Sequence, residues 1–160
     1  MRQLTRVLLG IAVWLVALVA LAKVHTLPAR LAVVTIPDDW VVSVEDDYLA
    51  AVSQDEVVTL LLKDAKPLPE KSPIPQPFAG VNEFEPEGEP ERITFNGFTG
   101  YIQRGRGKVN GTTVAAEEIQ LTHRLRKFVV SGWAYAEEKK YSRERRDRVR
   151  RIVRTLRSAR

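Results

Sequence analysis

The sequence predicts an α+β fold: an antiparallel β-sheet packed against a C-terminal helix and preceded by one N-terminal hydrophobic helix. Short runs of β-branched and aromatic residues alternate with Pro, Asp and Asn-Gly turns, the signature of tightly connected strands. Apolar side chains near the C-terminus recur at helical spacing, and an unbroken apolar stretch stands near the start. The 160 residues hold one ordinary core once that stretch is set aside, so the chain divides into residues 1–27 and a domain at 28–160.

Met1 to Arg6 carries Arg2 and Arg6 with no acid, and Val7 to Ala22 contains no polar side chain. At about 1.5 Å per residue this run covers about 24 Å as a helix, short of a ~30 Å hydrocarbon core, and Leu4 and Val24 would extend it. Leu8, Leu9, Trp14, Leu15, Leu18 and Leu21 supply its bulk. The leading reading is a retained anchor, because the apolar character continues to Ala22 without a polar stretch. The alternative is a signal peptide cut after Ala20-Leu21-Ala22, leaving Lys23 first. Arg2 and Arg6 favour a cytoplasmic N-terminus, which makes the retained form a single-pass membrane protein and the cleaved form a secreted or periplasmic one. No cysteine occurs anywhere, so disulfides, thiolate chemistry, cysteine-bound metal and a lipid-modified N-terminal cysteine are all excluded.

Leu31 to Ile36 is the first expected strand, stopped by Pro37-Asp38-Asp39, where Pro fixes φ and Asp bonds to its own backbone. Strands follow at Val41 to Glu45, Tyr48 to Ser53 and Val57 to Leu62, parted by Asp46-Asp47 and Gln54-Asp55-Glu56. Seven of the nine prolines then fall between Lys63 and Glu91, which predicts a polyproline-like surface loop over 64–91 in place of helix or central strand. Its later part is an acidic edge: Glu83, Glu85, Glu87, Glu89 and Glu91.

Strand signals resume at Arg92 to Phe95 and stop at Asn96-Gly97. Thr99 to Lys108 and Thr112 to Thr122 are joined by Val109-Asn110-Gly111, and Asn-Gly tolerates the positive φ that a two-residue hairpin needs. Gly100, Gly105 and Gly107 thin the first arm and mark a bulge at Gly105 or Gly107. A last strand runs from Leu125 to Ala136. The closing helix spans 142–157, with Ser142 as N-cap, Glu144 opposing the macrodipole, and Val149, Ile152, Val153 and Leu156 as its core face.

Ile36-Pro37-Asp38-Asp39-Trp40 leading into a short meander, then the Asn-Gly hairpin, a long strand and a terminal helix, resembles the PsbP/Mog1/DcrB-like superfamily over Leu31 to Leu156. The resemblance implies an antiparallel sheet covered by helices and a non-enzymatic accessory or binding domain in an envelope or thylakoid setting. It supplies no catalytic residues. The chain departs from the pattern where the proline-rich loop replaces a helix between the two strand groups.

Nothing in the domain forms a catalytic constellation. His123 lies on the apolar face of a strand, as hydrogen-bonded core histidines do, and Glu117 on the same face is six residues away along it, too far to share a metal. Arg104-Gly105-Arg106-Gly107-Lys108 lacks the Ser/Thr ending and the helix of a phosphate loop. Ser43, Ser53 and Ser131 have no base at a motif spacing. No metal and no cofactor is expected, and Trp40, Tyr101, Trp133 and Tyr135 are the aromatics that a ligand would meet.

The formal charge of +5 is concentrated at the end: Lys139 to Arg160 balances to +9 and the remainder to −4. On a helical wheel Arg143, Arg146, Arg150, Arg154 and Arg157 form a stripe beside the apolar face, one that calls for an anion. Anionic lipid head groups, an acidic protein surface and the chain's own Glu83 to Glu91 segment fit, whereas an exported location disfavours nucleic acid. The leading expectation is a non-catalytic, membrane-anchored accessory subunit or protein-binding module on the extracytoplasmic side, joined to a protein partner or membrane complex. The alternative is a secreted or periplasmic protein that holds a ligand in a groove.

Overall fold

Turn chemistry sets the strand ends in the computed structural model, which describes residues 21–67 and 80–160. The strands are β1 (Ala22–Thr26), β2 (Ala32–Pro37), β3 (Val41–Val44), β4 (Leu49–Val52), β5 (Thr59–Ala65), β6 (Asn82–Pro86), β7 (Glu91–Phe95), β8 (Phe98–Val109), β9 (Thr112–His123), β10 (Phe128–Glu137) and β11 (Arg157–Ser158), with helix α1 at Arg143–Val153. After Pro37 the Trp40 amide donates to the Pro37 carbonyl at 3.0 Å and closes the turn into β3. Asn110 and Gly111 join β8 to β9 at φ 49° and 79°, the left-handed pair that matches strand twist. Ser142 caps α1 by accepting from the Arg145 amide.

All pairings are antiparallel. An eight-stranded sheet has the order β3-β4-β5-β10-β9-β8-β6, with β7 also on the far edge of β8, and a second sheet has the order β1-β2-β11. Side chains alternate across each strand, so Leu60 and Leu62 of β5, Ile119 and Leu121 of β9, and Phe128 and Val130 of β10 share one face of the large sheet. Val34 and Ile36 of β2 and Val149, Ile152, Val153 and Leu156 cover that face. The core is thus a layer between the large sheet and a cover made of α1 and the small sheet. Phe98, Phe128 and His123 fill one end of it: His123 stacks on Phe128 with centroids 5.1 Å apart, meets Phe98 edge-on at 4.9 Å, and accepts from the Arg126 amide at Nδ1.

A smaller cluster lies on the opposite face, where Val81 and Phe84 cover Trp133, Val114 and Ala116. The glycines of β8 make this approach possible: a Cβ on Gly105 would stand 2.2 Å from the Glu85 carbonyl oxygen and 2.6 Å from the Phe84 ring. The bulge is in β6, between Asn82 and Glu85, rather than at Gly105 or Gly107. The expected loop at 64–91 accordingly contains the end of β5, all of β6 and the first residue of β7; Pro86 is tolerated because it closes an edge strand.

The expected anchor is corrected here. Among the described residues no helix is long and apolar enough to cross a membrane. The tail of the apolar run is also not helical: the Leu21 carbonyl accepts from the Asp38 amide, and Ala22 to Thr26 are laddered to β2. A helix therefore cannot be lengthened through Val24, the extension that a ~30 Å core demanded. The membrane-anchored accessory subunit, the single-pass topology and the membrane as partner through an N-terminal helix are overturned on this finding. Leu8, Leu9, Trp14, Leu15 and Leu18 lie outside the described residues.

Candidate functional site

The arginine stripe of the helical wheel is divided by the fold. Arg150 is drawn inward to 15% exposure, 3.1 Å from the buried Glu117 carboxylate, 2.9 Å from Glu91 and 3.9 Å from Asp147. Arg146 lies over the Tyr141 ring at 5.9 Å and donates to the Tyr141 carbonyl at 2.9 Å. Arg143 is exposed, 4.0 Å from Asp147, and Arg154 is exposed where α1 ends. Arg157 belongs to β11, because the chain leaves the helix before reaching it. The acidic residues are similarly dispersed: Glu83 pairs with Lys108 at 2.5 Å, Glu87 with Arg106 at 2.8 Å, Glu91 with Arg150, and Glu85 and Glu89 face solvent.

Glu117 shares its strand face with Ile119 and Leu121, so its carboxylate enters the core and must find partners there. Tyr141 donates to it at 2.8 Å, Arg150 at 3.1 Å, and Arg104 stands 3.6 Å away. Burial raises the Glu117 carboxyl above its ordinary value against the opposing pull of Tyr141, Arg150, Arg104 and nearby Arg146, and burial beside Glu117 pushes the Tyr141 phenol well up. The network links β9 to α1 and to the Tyr141 segment before it.

A second charged contact joins α1 to the β4–β5 turn. Asp55 accepts from Ser53 at 2.6 Å and from Arg145 at 2.6 Å, and these bonds, Ser53 foremost, hold its carboxyl down at about 2. A depressed carboxyl adds stability that is complete above its ordinary value of about 3.9 and is lost as pH falls through the folded value. The stability difference between the parent and Asp55→Asn is therefore expected to be constant at neutral pH and to vanish as pH falls towards 2, which urea unfolding at a series of pH values would check.

One surface feature with room for a ligand is on the outer face of the small sheet. Ala32, Val34 and Ile36 point into the core, so Val33, Thr35 and Pro37 point away from it together with their ladder partners Thr26, Val24 and Ala22. Two adjoining hollows lie over this floor. One of about 460 Å³ is bounded by Val24, Thr26 and Val33 below and by Arg157 and Arg160 above. The other, of about 270 Å³, lies over Thr35 and Pro37 and is walled by Arg148, Arg151, Ile152 and Thr155 of the α1 end. The two have no lining residue in common, but Val24 of the first directly faces Thr35 of the second in the ladder, so they lie side by side along one trough-shaped strip of the sheet. Val24 is 53% exposed and Leu21 72%. Arg148 is engaged by Asp39 and lies over Trp40 at 5.7 Å, whereas Arg151, Arg157 and Arg160 are exposed with no acid within ion-pair distance among the described residues.

No family model matches this sequence, and no curated protein does. The chemistry of the trough therefore stands on its own residues. A floor of valine, threonine and proline with arginine walls suits an organic anion that has an apolar body. Among the described residues no group of His, Asp or Glu is placed to hold a metal ion. Of the trough residues only Arg157 was named from sequence as an anion contact. Arg151 could have been found by asking which helix residues face a strand at the sheet edge.

Proposed function

We propose that this chain is a non-catalytic ligand-binding protein of the secreted or periplasmic kind, which holds a small organic anion with an apolar body in the trough. The observation behind this reading is the juxtaposition of exposed Val24 and half-buried Val33 with Arg151, Arg157 and Arg160, cations that no acid of the described chain neutralises. An apolar body on the floor removes hydrocarbon from water at about 25 cal/mol per Å², and guanidinium groups add directed, charge-assisted bonds to a carboxylate or sulfonate. The resemblance carried by the Ile36 to Trp40 turn and the Asn110-Gly111 hairpin points the same way, towards binding rather than catalysis.

Anilinonaphthalene sulfonate is a suitable probe, since it combines a sulfonate with a fused apolar ring. The double variant Arg151→Glu and Arg157→Glu is expected to bind it at least about tenfold more weakly, as two reversed charges at a partly buried anion cost more than ~1.4 kcal/mol. Equal affinity in parent and variant, with unchanged thermal unfolding, would remove the trough from consideration.

Export fits the register of β1. Ladder bonds alternate along an antiparallel pair, and bonds at Leu21–Asp38 and Leu27–Ala32 place the remaining ones at Lys23–Ile36 and His25–Val34. Cleavage after Ala22 therefore keeps three of the four bonded pairs. Mass spectrometry of the protein from its native host is expected to give Lys23 as the first residue; a retained Met1 to Ala22 segment would contradict the signal-peptide reading.

A further inference from the structure

Strand edges carry unpaired amides and are normally blunted. The β6 edge has Pro86, a bulge and left-handed Glu83, and β1 carries Lys23 and His25. The outer strand β3 has none of these. It reads Val-Val-Ser-Val, pairs with β4 on one side alone, and leaves Val41 71% and Val44 53% exposed. The Glu45 amide donates to the Tyr48 carbonyl, so by alternation Val41 and Ser43 bond towards β4 while the backbone groups of Val42 and Val44 point outward.

Charge defines what this edge would accept. Glu45, Asp46 and Asp47 follow the strand, are exposed, and take part in no ion pair among the described residues; Asp38 is exposed before it. A hollow of about 370 Å³ runs beside Val44, Glu45 and Asp46, with Thr26, Pro28 and Arg30 on its far side. Antiparallel pairing of two copies through Val42 and Val44 would set the Asp38-Asp39 turn of one against Asp46-Asp47 of the other, which like charge opposes. We propose that the open edge of β3 receives an extended segment of a partner protein, apolar at alternate positions and flanked by Lys or Arg, as an added strand. This site shares no residue with the trough except Thr26, so either can fail without the other.

The test uses the full chain and the synthetic peptide KKVTVTVKK. Amide exchange at Val42 and Val44 is expected to slow by about tenfold or more on saturation, as for any newly bonded strand amide. A version with glutamates for lysines, and one N-methylated along its centre, are expected to give no protection. Val44→Pro removes an outward N–H at an edge, where proline is tolerated, and is expected to abolish protection with folding retained. Asp46→Lys supplies a second reading that keeps the backbone intact, with binding reduced severalfold. Binding without slowed exchange at Val42 and Val44, equal protection by the glutamate peptide, or concentration-dependent self-association that protects the same amides without peptide would each overturn the proposal.

Discussion

Asp64→Ala is expected to cost about 4 kcal/mol of folding stability, more than any surface substitution in the domain. Asp64 lies on the core face of β5 beside Leu62 and is 2% exposed. Its carboxylate accepts from two backbone amides of the β1–β2 connection and the first of β2: Ala29 at 2.8 Å through Oδ1, and Leu31 at 2.7 Å and Ala32 at 3.0 Å through Oδ2. Each bond to a charged acceptor contributes ~1.5–3 kcal/mol, and each buried amide left without a partner costs ~1–3 kcal/mol; one carboxylate serves all three, so the sum is not additive. Asp64→Asn keeps an acceptor for Leu31 and Ala32 and turns a donor on Ala29, which halves the loss to about 2 kcal/mol. Urea unfolding would show the midpoint falling in that order at constant slope. Unchanged midpoints would mean that the small sheet is held by its apolar face alone.

Ile152→Asp is expected to cost a similar amount, about 4 kcal/mol, and by a different route. Ile152 is 3% exposed in the core layer and also walls the trough. A carboxylate there must be buried without a partner or be expelled with the helix, and expulsion takes β11 and the arginine wall along. Ile152→Val removes one methylene and should cost only about 1 kcal/mol, while a change at exposed Arg151 should fall within about 0.5 kcal/mol. Far-ultraviolet circular dichroism with thermal unfolding separates the three, and a fully stable Ile152→Asp would place the core face of α1 elsewhere.

Much of this architecture was legible because its causes are local. The Asn-Gly hairpin, the Pro37 turn, the Ser142 cap and the helical stripe of Val149, Ile152 and Val153 depend on neighbours in sequence; Leu156 is buried as expected but lies beyond the helix. β1 was missed because Leu21 and Ala22 close an apolar run that Val24 resumes after Lys23, and composition alone does not separate the end of a helix from a strand. β6 was hidden by proline density, although edge strands accept proline at their ends. The helical wheel was carried four residues beyond the last helical turn, which joined Arg157 to a stripe it does not share. Asp64 and Glu117 left a trace, an acid in register with Leu60 and Leu62 or with Ile119 and Leu121, but their partners lie on distant segments that no local pattern reveals.

Residue-by-residue amide NMR during titration with anilinonaphthalene sulfonate tests the binding trough most directly. Saturable shifts confined to β1, β2 and residues 151–160, led by Val24, Val33 and Thr35, are the predicted result. Shifts centred instead on the Tyr101, Gln120 and Ser131 face of the large sheet, or none at all, would contradict it.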